Sequence, residues 1–236
     1  MSGLPAVLMV VNQWLIIFIS SPTKTGNSNL WAYTSNLSKM KQDRNVWILL
    51  GLMALFTVMR WPGLLPSNFS PVYAIFFCAG VYFKGARTWL LPVGLMFVSD
   101  LMINHFYYGP LGYSVFGGYM ILNYELLLLL ILAGHVMTDR ARPGALIGVG
   151  ALGAAGFFVV SNAVSWLMDP FYSKTMGGLL QAFTTGKPGL PPTWMFFRNA
   201  VASGALFTGM IVFAVQHLGV PRKSPMEIVA GLNSKP

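Results

Sequence analysis

Four charged residues stand inside apolar stretches of this chain: Arg60, Asp100, Glu125 and Arg198. A charge in hydrocarbon is costly, so each needs a partner, a water-filled cavity or a ligand. An arginine and an aspartate at similar depth support two kinds of chemistry. They can anchor a polar solute between them, or they can pair with each other and fix how helices pack. Uncharged polar groups accompany them: Asn68, Tyr73, Asn104, Asn123, Asn162, Trp166 and Asn199. Asn104 follows Asp100 by four residues, which puts both on one helix face. These eleven residues are the candidate ligand-binding set.

Other chemistries fit less well. Intramembrane proteolysis needs a Ser/His or Asp/Asp pair at bilayer depth, and Asp100 has no second aspartate within the apolar stretches. Ser99 or Ser161 with His105 lacks a recognisable nucleophile motif. His135 has no acidic or cysteine neighbour at metal-site spacing, so no metal and no cofactor is expected. The single cysteine, Cys78, lies in an apolar run and reads as a buried structural thiol. No charge rings or filter-like loop suggest an ion channel. The chain is therefore not expected to be an enzyme.

The elements that position these residues follow from composition. Charged residues make up 9% of the 236 residues and apolar ones 55%, and the mean hydropathy is +0.63. A typical soluble domain is roughly 25% charged. A compact fold of this size cannot hide so much apolar surface, so lipid must be its main solvent. The net charge of +9 would suit nucleic acid in a soluble protein. Here the basic residues sit in short loops and no basic stripe interleaves with stacking aromatics, so nucleic acid is not an expected partner.

Six stretches approach the roughly 20 apolar residues that a spanning helix needs. They are 46–65, 71–83, 88–107, 113–137, 145–168 and 194–218, the second being short. The expected fold is an all-α polytopic membrane bundle of six core transmembrane helices over 46–218. Residues 1–45 hold a further apolar run, 4–20, and a polar linker; residues 219–236 form a tail. The run at 4–20 reads either as an extra helix or as sequence upstream of a natural start at Met40. It lacks the basic leader and cleavage site of a secretory signal.

Alternate loops differ in charge. One set holds Lys24, Lys39, Lys41 and Arg44, then Lys84 and Arg87, then Arg140 and Arg142, then Arg222, Lys223 and Lys235; the other holds only Lys174 and Lys187. The positive-inside rule puts the rich set, and both ends of the six-helix core, in the cytoplasm of a cell whose inner membrane holds the protein. At 1.5 Å per residue, Arg60 and Arg198 then fall near the outer surface, Asp100 some 10 Å in and Glu125 about mid-bilayer. All six stretches contribute a polar group on the outer side, whereas their inner halves are nearly pure Leu, Val, Ala, Met and Gly.

Small residues recur in the last two stretches: Gly144, Gly148, Gly150, Gly153 and Gly156, then Ala200, Gly204, Ala205 and Gly209. Such spacing lets helix backbones approach closely, either inside the bundle or against a second membrane subunit. Between them, 176–183 reads as a short apolar helix followed by a proline-rich return, suited to a lid or to an interfacial helix.

The motifs have a resemblance. Arg60, then Pro66-Ser-Asn68-Phe-Ser-Pro71-Val-Tyr-Ala, Ser99-Asp100-Leu101, Ser161-Asn162 with Trp166-Leu167, and Phe196-Phe197-Arg198-Asn199 resemble an uncharacterised family of bacterial six-helix membrane proteins over about 46–216. The chain departs from that pattern at Ser203-Gly204, where an acidic residue often follows the Asn of the last helix. More distantly the architecture is similar to the substrate-binding S components of energy-coupling-factor vitamin transporters. That resemblance implies a small-molecule ligand near the outer face and a coupling subunit docked on small-residue helix faces. The Ala-x-x-x-Ala motif expected in the first helix is missing, and the ATPases would be other chains. The expected function is a membrane solute-binding or transport component; the alternative is a structural accessory subunit of a larger membrane complex.

Overall fold

The computed structural model describes residues 46–112, 116, 118–137 and 141–218. The expectations for 1–45 and 219–236 lie outside the described residues. Seven α-helices follow in order: α1 Val46–Val58, α2 Val72–Tyr82, α3 Arg87–Ile103, α4 Gly118–Val136, α5 Pro143–Met168, α6 Met176–Phe183 and α7 Thr193–His217. No strand occurs among the described residues. Beyond Ile103, α3 continues through a π turn, Asn104–Tyr108, and a 3-10 turn, Gly109–Leu111. Arg87–Leu111, Pro143–Met168 and Thr193–His217 are each long and apolar enough to cross a membrane. At 25 or 26 residues they reach about 38 Å. The protein is an all-α membrane bundle.

The first helix stops at Val58 rather than running on to 65. Its last turn tightens, with Arg60 N–H donating to the Thr57 carbonyl and Trp61 N–H to that of Val58. Pro62 disfavours helical backbone at the residue before it, and Gly63 then turns left-handed at φ +89°. Arg60 consequently sits in a turn at the end of α1, not within a helix.

The short second stretch is explained by its surroundings. From Val72 to Val81 every residue of α2 is buried. A helix that is apolar all round belongs inside a protein, and α2 is the centre of this one, touching α3, α4, α5 and α7. Its crossing with α4 is backbone on backbone. A Cβ on Gly80 would lie 2.1 Å from the Ile131 carbonyl oxygen, and one on Gly134 would lie 2.2 Å from that of Phe77. The α5–α7 pair is also close: a Cβ on Gly204 would stand 2.7 Å from the Ala154 methyl and 2.9 Å from the Gly150 carbonyl. Phe56 of α1 and Phe69 close the core against Phe207 of α7, at ring distances of 4.9 and 5.7 Å.

The helix α6 has the bounds its sequence implies. The Thr175 hydroxyl caps it by accepting from Gly178 N–H at 3.2 Å. Gly178 and Ala182 are buried, and Phe183 lies 6.2 Å from Phe158 of α5. Around it Lys187 pairs with Asp169, and Lys174 donates to the Trp166 and Asp169 carbonyls at 2.5 and 2.8 Å.

Candidate functional site

The charged network forms where the turn after α1, α3 and α4 meet. The Arg60 guanidinium donates to Asp100 Oδ1 at 2.5 Å and also to the Ser99 hydroxyl. Tyr124 of α4 donates its phenol hydrogen to Asp100 Oδ2 at 2.9 Å. Ser99 passes its own hydrogen to the Met96 carbonyl at 2.8 Å. Both carboxylate oxygens of Asp100 are thus occupied. The Arg60 and Asp100 side chains keep 14% and 13% of their surface exposed, so the pair is sheltered but reachable. A charge pair in this setting holds only when its remaining donors and acceptors are also met, and Ser99 and Tyr124 do that. Beside Arg60 a void of about 10 Å³, bounded by Thr57, Val72, Phe76 and Pro92 among others, is near the minimum for one water.

A second polar group lies on α7 and the α1–α2 connection. Asn199 donates its amide to the Ser67 carbonyl at 3.0 Å and accepts weakly from Arg198 at 3.3 and 3.4 Å. Arg198 is exposed, with its guanidinium 5.6 Å from the Trp194 ring. Next to this connection Asn68 is exposed at φ +60°, a left-handed conformation that Asn tolerates better than most residues. The turn is closed by Phe69 N–H donating to the Pro66 carbonyl at 2.9 Å.

Tyr73, Asn162 and Trp166 make their contacts away from both groups. Tyr73 is buried in α2, its ring 5.2 Å from Phe157. Asn162 donates to the Phe158 carbonyl within α5 at 2.9 Å. Trp166 donates its indole N–H to the Ser173 carbonyl at 2.9 Å, which ties the approach to α6 back onto α5. Asn104 is buried, with its amide 3.7 Å from the Met120 sulfur. Asn123 is half-buried on α4, and Glu125 is exposed on the outside of that helix. Tyr124 is the member that sequence reasoning missed. Its one signal was a phenol deep in an apolar run, beside Asn123 and Glu125.

The larger concavity is elsewhere. An open groove of about 610 Å³ runs along the lipid-facing side of α7 between Ala202, Leu206, Gly209 and Phe213. It shares no residue with the charged network.

Fold and site together define an α-helical membrane protein with an arginine–aspartate–tyrosine network. A family profile matches residues 40–226, and the chain belongs to that family, a family of unknown function (DUF6580). No curated protein and no solved structure matches the chain.

Proposed function

We propose that the protein is a membrane solute-binding or transport component, with a small polar ligand taken at the Arg60–Asp100–Tyr124 network. One observation carries this reading: an ionised pair is concentrated among three chain segments and remains partly reachable. A solute hydroxyl or amine can replace the Tyr124 hydrogen bond to Asp100 while Arg60 still balances the charge. The exchange keeps both Asp100 oxygens occupied, and the solute must also offer the half-buried Tyr124 hydroxyl a new acceptor. The asymmetry of loop charge supports placing the network on the outer side of a cytoplasmic membrane, with both ends of the core inside. The resemblance to energy-coupling-factor S components supports a coupling subunit docked on glycine-bearing helix faces.

The test is to purify the protein in mild detergent and identify small molecules retained by mass spectrometry. Asp100→Asn should lose the retained molecule, while Tyr124→Phe, which leaves Asp100 Oδ2 free for the solute, and Asn162→Ala, whose amide bonds only its own helix, should keep it. Equal retention in all four proteins overturns the reading.

A second reading, an accessory subunit of a larger complex, is favoured by the closure of the network. Both Asp100 oxygens have partners within the chain, and the adjoining void holds one water at most. Its signature is stoichiometric copurification of membrane partners with no retained solute.

A further inference from the structure

Glu125 is exposed among Ile121, Leu129, Leu132 and Val136, which are exposed with it on one side of α4. A carboxylate in a lipid-facing stripe demands a cation or hydrogen-bond donors from outside its own helix. Among the described residues it has none. The other described carboxylates are already matched, Asp100 with Arg60 and Asp169 with Lys187. Arg198 presents the converse case: an exposed guanidinium on α7 with an amide and an indole beside it but no carboxylate among the described residues.

The two charges cannot meet within one chain, because α5 stands between α4 and α7 and those two helices do not touch. They are nevertheless level. Leu130 of α4 packs where a Gly153 side chain would be, and Ala154, the next residue of α5, packs against Gly204 of α7. Counting back five residues from Leu130 reaches Glu125, and six from Gly204 reaches Arg198. At 1.5 Å per residue the two lie at the same depth to within about 3 Å.

Between them α5 turns glycine outward. Gly144, Gly148 and Gly156 have nothing within 4 Å of an added Cβ, and the exposed Leu152 stands between the last two as a knob on the same face. On α7 the outward groove of Ala202 and Gly209 runs inward from Arg198.

We propose that two copies of this chain associate about a two-fold axis along the membrane normal, α5 against α5, with Glu125 of each copy paired to Arg198 of the other. A two-fold along the normal brings together only groups at equal depth, and an isologous interface needs self-complementary patches. The row α4–α5–α7 meets both conditions: acidic flank, glycine centre, basic flank.

The test is charge reversal, read by sedimentation equilibrium in density-matched detergent and by Förster transfer between labelled copies in liposomes. Glu125→Arg sets four guanidinium groups against one another in pairs, and Arg198→Glu does the same with carboxylates. Each variant alone should weaken self-association about tenfold or more. Mixed together, the two should associate about as well as the unaltered chain, because every pair across the mixed dimer is then of opposite sign. Neither variant can rescue the other if it is merely misfolded, and protection of the buried Cys78 thiol reports folding in each separately. A monomeric unaltered chain in both systems, single reversals without effect, or a mixture of folded variants that stays apart overturns the proposal.

Discussion

Gly80 and Gly134 face each other across the α2–α4 crossing so closely that neither position has room for a methyl group. The obstruction at each is a carbonyl of the other helix, which cannot rotate away as a side chain can. Gly80→Ala or Gly134→Ala should therefore force the helices apart and cost at least the ~1–3 kcal/mol typical of overpacking. Gly94→Ala, with open space around it, should be neutral or slightly stabilising. Thermal unfolding followed by a thiol-reactive dye measures this directly, since Cys78 is the single cysteine and is fully buried.

The Arg60–Asp100 pair should behave as a unit. Asp100→Leu alone leaves a sheltered guanidinium without its carboxylate and should lower stability by roughly 1–3 kcal/mol. Arg60→Met with Asp100→Leu should recover much of that loss, because removing both charges also removes their desolvation cost. A double-mutant cycle on the same Cys78 melt gives the coupling; additive losses would show that the two side chains act independently.

These elements were unequally legible in the sequence. The α6 bounds were, because 176–183 is a short apolar run and prolines follow it. Asp100 stood out as polar, yet its choice of Arg60 over Arg198 did not, since both arginines were placed near the outer surface. The choice is made by the turn at Pro62 and Gly63, which directs Arg60 back to α3. Helix counting set Glu125 at mid-bilayer, deeper than Arg198, whereas the packing of α4 and α7 on α5 puts the two level; counting also gave Glu125 no direction. Nearly all of α4 is apolar, so no stripe in the sequence marks its buried side, and only the packing against α2 reveals that Glu125 points away. Gly80 and Gly134 are isolated glycines outside any repeat, and their meeting is a long-range property of two helices.

The α5–α6 connection should respond to acid. Its hydrogen bond from Lys187, together with one from Phe171 N–H, holds the Asp169 carboxyl below the ordinary carboxylate range. A depressed carboxyl stabilises the folded form at pH above its unfolded value and loses that contribution as pH falls through its folded one. Hydrogen exchange over residues 169–190 should rise below the ordinary carboxylate range, and Asp169→Asn should show the faster exchange already at neutral pH. The pair is half-exposed, so the effect should shrink in high salt.

The proposed orientation makes a labelling prediction. In a Cys78→Ala background, Lys174→Cys should react with a membrane-impermeant maleimide added to intact cells stripped of any outer barrier. Lys84→Cys should react only after permeabilisation. The reverse pattern would invert the molecule and place the Arg60–Asp100 network on the cytoplasmic side.

The enclosure of α2 has a consequence for how the chain is made. Eleven residues of helix rise about 17 Å, well short of the roughly 30 Å of hydrocarbon. Gly134, whose backbone α2 must meet, is synthesised 54 residues after Gly80. At roughly 5–20 residues per second the ribosome leaves α2 without that partner for about 3–10 s. During that interval the future centre of the bundle must be held by its flanking hairpins or by the insertion machinery, so biogenesis of this protein is set by the arrival of α4.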